Sequence, residues 1–142
     1  EVNPRLAGVM IPEMIRLATG PGLLEQQVRA ATGQEPLLEP EFARQGGIRF
    51  LIAERAGRVL AIEGADRAAA VAGVDRVTVT VRPGAEVRPA QDAYGRLGYI
   101  IATSERPEEI EDVLDAAERE IRFVYEEFAH EDAQQPTGAG NR

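Results

Sequence analysis

Arg76-Val77-Thr78-Val79-Thr80-Val81-Arg82 is the stretch on which the fold turns. Val77, Val79 and Val81 alternate with Arg76, Thr78, Thr80 and Arg82, the clearest period-two pattern in the chain, which predicts a strand with one buried and one solvated face. Downstream, Leu97 to Thr103 is a continuous apolar run suited to an interior strand. Between the two, Pro83-Gly84 supplies turn chemistry, and Val-Arg-Pro at 81–83 and again at 87–89 brackets an irregular loop. Upstream, Ala65 to Ala72 is alanine-rich enough for two helical turns closed by Gly73. Before it, Ile48, Phe50 and Ile52 alternate with Arg49, Leu51 and Ala53, and Ala56-Gly57 turns this strand into another at Arg58 to Glu63, a hairpin.

Toward the C-terminus, Pro107 at a first helical position opens the longest helix, with Glu108 and Glu109 where the macrodipole favours anions. Ile110, Val113, Leu114, Ala117, Ile121, Val124, Tyr125 and Phe128 keep three-and-four spacing for five turns, so this helix covers the sheet. Arg106 stands where a Ser, Thr, Asp or Asn cap is usual. Toward the N-terminus, Met10, Ile11, Met14, Ile15 and Ala18 predict an amphipathic helix stopped by Gly20-Pro21, and Leu24, Val28 and Ala31 form one stripe of a second helix ending at Gly33. Pro36, Pro40, Glu35, Glu39, Glu41 and Gly46-Gly47 read as a linker. The expected class is α+β, with a helix pair within 1–33, a linker at 34–47, a β-β-α-β-β-α unit with a mostly antiparallel sheet at 48–129 and a disordered tail at 130–142.

Composition narrows the chemistry. In 142 residues there are 24 acidic and 16 basic side chains, a formal net charge of −8, and every basic residue is an arginine. Phosphate-gripping and Schiff-base lysines are therefore excluded, and the lack of cysteine removes thiolate metal sites, disulfides and thiol nucleophiles. Net negative charge with scattered arginines argues against nucleic acid, and no apolar run approaches the ~20 residues that span a bilayer. The opening Glu1-Val2-Asn3-Pro4 has no initiator methionine and no export signal, which predicts a piece of a longer, cytoplasmic chain.

The residues that carry chemistry stand at the start, in Glu1-Val2-Asn3-Pro4-Arg5-Leu6-Ala7-Gly8. In an extended segment Glu1 and Asn3 share a side, about 7 Å apart at ~3.3 Å per residue. Two hard oxygen donors so placed can share a divalent cation, with Arg5 beside them as a clamp for phosphate. Taken alone, a strand end with exposed polar residues is the commoner meaning of such a triplet. This segment, followed by Met10-Ile11-Pro12-Glu13 and Leu17-Ala18-Thr19-Gly20, resembles the last active-site segment of ATP-grasp enzymes, especially ligases that join an amino acid to another amine. Phe50-Leu51-Ile52-Ala53, Val81-Arg82-Pro83-Gly84 with Val87-Arg88-Pro89, and Arg96 to Thr103 resemble the C-terminal domain of that family, which is related to the C-terminal region of biotin carboxylases.

The resemblance covers roughly residues 1–128 and places 1–33 at the C-terminal end of an ATP-grasp catalytic domain. It implies that Glu1 and Asn3 are magnesium ligands (manganese being an alternative ion) at an ATP site, that Arg5 meets the transferring phosphoryl group and the acyl phosphate, and that Gly8 lies in a loop lining the acceptor pocket. It also implies that ATP activates a carboxylate as an acyl phosphate, an amine then displacing phosphate, so that no nucleophilic side chain is needed. The family commonly has two glycines after Leu-Ala where this chain has Gly8-Val9, and its nucleotide-gripping lysines and phosphate loop lie upstream, so the isolated chain is expected to be inactive. The partners implied are the N-terminal part of the same enzyme and small carboxylate and amine substrates, with homodimerisation open. A free-standing binding or dimerisation module and biotin-carboxylase-like carboxylation are the rival readings. Elsewhere, His130 beside Glu131 and Asp132 reads as a solvated histidine, and Glu108-Glu109 and Glu126-Glu127 as solvated helix faces. Tyr94, Arg96 and Tyr99 could line a cleft, and Arg82 and Arg88 could hold an anion, structural and surface roles being the commoner meanings.

Overall fold

A computed structural model describes residues 5–89 and 95–127. Its elements run α1 (Ile11–Thr19), α2 (Leu23–Ala31), β1 (Gln45–Ile52), β2 (Gly57–Glu63), α3 (Ala65–Ala69), β3 (Val74–Val79), β4 (Glu86–Val87), β5 (Arg96–Ser104), a 3-10 turn at Pro107–Glu109, α4 (Ile110–Glu120) and β6 (Arg122–Glu127). The strands make two three-stranded sheets, ordered β1-β5-β3 and β4-β2-β6, with antiparallel pairing throughout. The α+β class and the antiparallel pairing agree with the sequence; the single sheet does not.

β5 is the central strand. Its apolar run is continuous because both faces are covered, and Ile100, Ile101 and Ala102 are fully buried. On one face α4 lies over β1: a Cβ at Gly47 would stand 2.4 Å from Ile110 and 2.9 Å from Leu114. On the other, α1 does the same one residue earlier, since a Cβ at Gly46 would stand 2.8 Å from Met14. Successive strand residues point to opposite faces, so two adjacent glycines admit two helices. Gly46 and Gly47, which read in the sequence as the close of a linker, are thus strand residues paired with Thr103 and Ala102. Leu51, Ala53, Leu97, Ile110, Leu114 and Ala117 join Val59 and Val87 of the second sheet in one core.

Two expectations are corrected. The hairpin of 48–52 with 58–63 does not form: β1 pairs with β5, and β2 pairs with β4 and β6. The register shifts at Leu51/Ile52, Leu51 and Ala53 are buried with Ile52 turned outward between them, and the chain then passes to the other sheet. The five-turn helix ends at Glu120, and Arg122–Glu127 is a strand along β2, with Phe123 and Tyr125 packed on the core and stacked at 6.3 Å between ring centroids. Three-and-four spacing of Ile121, Val124 and Tyr125 fits a helix, but β-branched and aromatic residues favour a pleated surface. Glu118 and Glu120 also stand at a helix C-terminus, where the macrodipole disfavours anions. Phe128 and the expected tail at 130–142 lie outside the described residues. The second helix forms as expected, with Leu24, Val28 and Ala31 exposed, and its buried residue is Gln26, whose Oε1 accepts a hydrogen bond from the Leu37 N–H at 2.7 Å.

No side chain caps the helical turn that begins after Arg106, and Ser104 instead ties the entry to the turn together. Its hydroxyl accepts from the Arg106 N–H at 3.0 Å and donates to Glu109 at 3.1 Å. The close contacts at β1 set a direct test. Gly47→Ala forces Ile110 and Leu114 outward, and urea denaturation is expected to show a loss of about 1–3 kcal/mol. Gly8→Ala, where an added Cβ meets nothing within 4 Å, is expected to stay within about 0.5 kcal/mol.

Candidate functional site at the start of the chain

Glu1 and Asn3 lie outside the described residues, as does Tyr94. Arg5 and Gly8 are exposed, and the Arg5 guanidinium donates to the Leu6 carbonyl at 3.2 Å. The segment then tightens. Val9 has φ 59°, the one non-glycine residue in the left-handed region among those described. A β-branched residue there is strained by about 1–2 kcal/mol. The resemblance described above is to a pattern with two glycines after Leu-Ala, and glycine adopts this backbone conformation without strain. Pro12 follows in the first turn of α1, where a missing N–H costs no hydrogen bond.

Val9, Met10, Pro12, Leu23 and Leu24 wall a cavity of about 240 Å³, with Glu13 and Arg16 at its polar edge. Glu13 is held by two arginines. Arg16 donates to it bidentately, at 2.8 and 3.0 Å, and Arg76 of β3 reaches it from the sheet at 2.8 Å. The hydrogen bonds from Arg16 hold the Glu13 carboxyl below its ordinary range, against the opposing effect of burial, and Arg76 adds to the lowering. The spacing of Glu13 and Arg16 is visible in the sequence as an i,i+3 pair. Arg76 was read only as one of the polar residues alternating along the β3 strand, and nothing in its local pattern points to α1.

The remaining candidates resolve into structure. The Arg96 guanidinium sits 3.6 Å from the centre of the Phe50 ring, a cation–π contact, and Tyr99 pairs with Phe50 on one side and Thr78 on the other. Arg82 and Arg88 are exposed on either side of the Pro83-Gly84 turn and β4. Glu126, expected on a helix, is in β6 opposite Arg58, and His130 lies outside the described residues. Among the described residues no three acidic or histidine side chains gather as metal ligands, and no helix is long and apolar enough to cross a membrane.

A family model for L-amino acid ligase C-terminal domain 2 matches residues 49–126. The chain belongs to that family. Within the matched span lie Phe50 to Ala53, Val81 to Gly84, Val87 to Pro89 and Arg96 to Thr103, the residues whose resemblance pointed to the C-terminal part of an ATP-grasp ligase. The uncharacterized protein y4rH of Sinorhizobium fredii is 34% identical over 129 residues, which is 91% of this chain and 27% of that protein. Among solved structures, phosphoribosylglycinamide synthetase from Anaerococcus prevotii superposes with a TM-score of 0.71 at 19% identity, over 82% of this chain and 30% of that one. L-amino acid ligase from Bacillus licheniformis superposes with a TM-score of 0.69 at 21% identity, over 86% and 31% respectively. N5-carboxyaminoimidazole ribonucleotide synthetase from Thermotoga maritima gives 0.55 at 20% identity. These likenesses establish the fold of the L-amino acid ligase C-terminal domain, and this chain spans under a third of each relative's length.

Two substitutions check the local chemistry. Relieving the strained backbone, Val9→Gly is expected to leave stability unchanged or raise it by up to about 1 kcal/mol in urea denaturation, because the exposed valine has little burial to lose. Glu13 has a folded-state pKa below its ordinary value of 4.5, so its stabilisation is complete above that pH and is lost as the pH falls through the lowered value. Glu13→Gln is accordingly expected to lower the melting temperature at pH 7, by an amount equivalent to less than about 1 kcal/mol for so solvent-accessible a cluster. The gap from the unsubstituted chain should close in a titration from pH 7 to pH 2.5.

Proposed function

We propose that this chain is the C-terminal part of an ATP-dependent carboxylate–amine ligase, with an amino acid among its substrates, and that residues 1–8 belong to its catalytic site. The observation that supports it most is the co-occurrence, on one chain, of the family match at 49–126 with Glu1-Val2-Asn3-Pro4-Arg5 ahead of it. In the reaction, a carboxylate oxygen attacks the γ-phosphorus of ATP and releases ADP. The amine nitrogen then attacks the acyl carbon, loses a proton and expels phosphate, leaving an amide. Both steps pass through anionic transition states that cationic groups stabilise without a covalent enzyme intermediate. That chemistry suits a chain without cysteine or lysine.

The donor set at the start of the chain fits a hard divalent cation, since a carboxylate oxygen from Glu1 and an amide oxygen from Asn3 are the ligands magnesium or manganese prefers. Bound there, the ion would neutralise charge on the phosphates. Arg5, exposed and carrying a planar fork of donors, is suited to hold the phosphoryl group as it moves and the acyl phosphate that results. Gly8 leaves open space beside it for the acceptor. The groups that grip the nucleotide come from polypeptide that precedes residue 1, in the cytoplasm, and the 142-residue chain alone is inactive.

Release of phosphate coupled to amide formation, assayed across a panel of amino acid pairs with the full-length enzyme, tests this reading. Arg5→Ala is expected to lower the rate by about 10²–10³-fold, as loss of a transition-state donor does elsewhere. An unchanged rate in Arg5→Ala, or a full-length protein that forms no amide with ATP, would overturn it.

A further inference from the structure

Three arginines among the described residues are half-buried, and two of them are satisfied within the protein. Arg49 meets three carboxylates of α4, and Arg29 donates to the Glu35 carbonyl at 3.0 Å. Arg96 has no hydrogen-bond acceptor or carboxylate partner among the described residues, in a chain where acidic side chains outnumber arginines 24 to 16. What holds it is the Phe50 ring, 3.6 Å away. A ring covers one face of the planar guanidinium and leaves its in-plane N–H fork open, the edge that takes a carboxylate bidentately. Those donors reach solvent, since no buried side-chain nitrogen or oxygen lacks a partner among the described residues. The fork stands on the face of sheet β1-β5-β3 that carries α1. Gly46, Ile48 and Phe50 alternate to that side of β1, and α1 meets Gly46 through Met14 and Ala18 and reaches β3 through Glu13 and Arg76. Farther along the same face Phe50 pairs with Tyr99, and Tyr99 with Thr78. Both aromatic rings are half-buried and stand outside the core, and the Tyr99 and Thr78 hydroxyls hold no hydrogen bond among the described residues.

We propose that Arg96 holds the carboxylate of the amino acid that supplies the amine, with the Tyr99 and Thr78 hydroxyls as further donors on the same face. The inference rests on the reading above that the full-length enzyme is a carboxylate–amine ligase with an amino acid among its substrates. An enzyme whose acceptor is an amino acid handles two carboxylates of opposite fate. One is phosphorylated beside the divalent cation and Arg5. The other belongs to the acceptor, has to stay clear of ATP, and calls for a cation of its own. A guanidinium pinned on a ring and otherwise unpaired suits that task, because its side chain is already ordered before the ligand arrives. Arg5 stands six residues ahead of Ile11, within about 20 Å of the start of α1 at full extension, and α1 lies on this same face. The segment that handles the phosphoryl group and the fork that would hold the acceptor thus serve one side of the sheet.

Steady-state kinetics of the full-length enzyme test this, with the donor saturating and the twenty common amino acids and their carboxamides offered as acceptors. Arg96→Met removes the charge and keeps an apolar contact with Phe50. It is expected to raise KM for the amino acid acceptor about 10–100-fold and to leave kcat, and KM for ATP and for the donor, unchanged. Carboxamides are expected to be poor acceptors for the unsubstituted enzyme, and their KM should not move in Arg96→Met, so that discrimination between acid and amide disappears. Arg96→Lys, which keeps the charge without the planar fork, should recover part of the lost affinity. Tyr99→Phe removes one hydroxyl and no packing, and is expected to raise the same KM about 2–10-fold. An unchanged KM, equal changes for acid and amide, or a rise confined to the donor or to ATP would overturn the proposal and leave the ligase reading intact. A full-length enzyme that forms no amide with any acceptor would sink the ligase reading and this proposal with it.

Discussion

Two helices reach the backbone of one strand at adjacent residues, and the rest of the domain is arranged around that double contact. At Gly47 the missing Cβ lets Ile110 and Leu114 of α4 come down on β1, and at Gly46 it lets Met14 of α1 do so from behind. Either helix alone would leave one face of β5 wet, and the run Ile100-Ile101-Ala102 is apolar on both. Further along the α4 face of β1 the contact changes character. Arg49 follows Gly47 and meets Glu111, Asp115 and Glu118, three carboxylates spaced along one side of α4. Partial burial works against the Arg49 charge, yet the hydrogen bonds it donates to Glu118 and Asp115 outweigh it and raise its pKa. Leu51, the next residue on that face, enters the core. Close approach, ion cluster and apolar contact thus succeed one another within five residues.

The same use of arginine recurs where elements distant in sequence meet. Arg67 in the middle of α3 pairs with Glu120 at the end of α4, Arg76 of β3 with Glu13 of α1, and Arg58 of β2 with Glu86 of β4. A guanidinium offers several donors in one plane and can hold two or three carboxylates at once, which a lysine ammonium does less specifically. In a chain with 24 acidic residues and only arginines to balance them, these ties fix the relative positions of elements rather than adding much stability individually.

What was legible in the sequence is what depends on local pattern. Val77 and Val79, Leu97 to Thr103, and the amphipathic α1 show their conformation in their own spacing, and the structure places each in the expected class of element. What was not legible depends on partners. Ile48 to Ile52 gives no sign that it will pair with a strand some fifty residues later rather than with its neighbour. Ile121 to Tyr125 satisfies both helical and strand periodicity, and only the open side of β2 decides between them. For the site, the chemistry of Glu1, Asn3 and Arg5 is plain from residue type, and their identification rests on a motif outside the matched span of the family. The Glu13 cluster is half visible, as an i,i+3 pair without its third member. Val9 was conspicuous only against the two-glycine pattern, and its backbone angle supplies the physical content of that departure.

These features together determine how the proposed catalytic residues are held. The family match covers β1 from Arg49 onward, most of the rest of the two sheets, α3 and α4, whereas Arg5 precedes α1 in the chain. The path from the sheet to Arg5 therefore runs through α1, which is fixed at three places: Met14 on Gly46, Glu13 on Arg76, and its C-terminal carbonyls of Ala18 and Thr19, which accept hydrogen bonds from Arg44 and Glu41. At the N-terminus of α1, the left-handed backbone of Val9 sets the turn by which residues 5–8 join the helix. A left-handed residue is a discrete conformation and not a soft hinge, so strain there buys direction. The sheet β1-β5-β3 thus supports the first described residues of the chain, and the precision available to Arg5 is that of these three holds on α1.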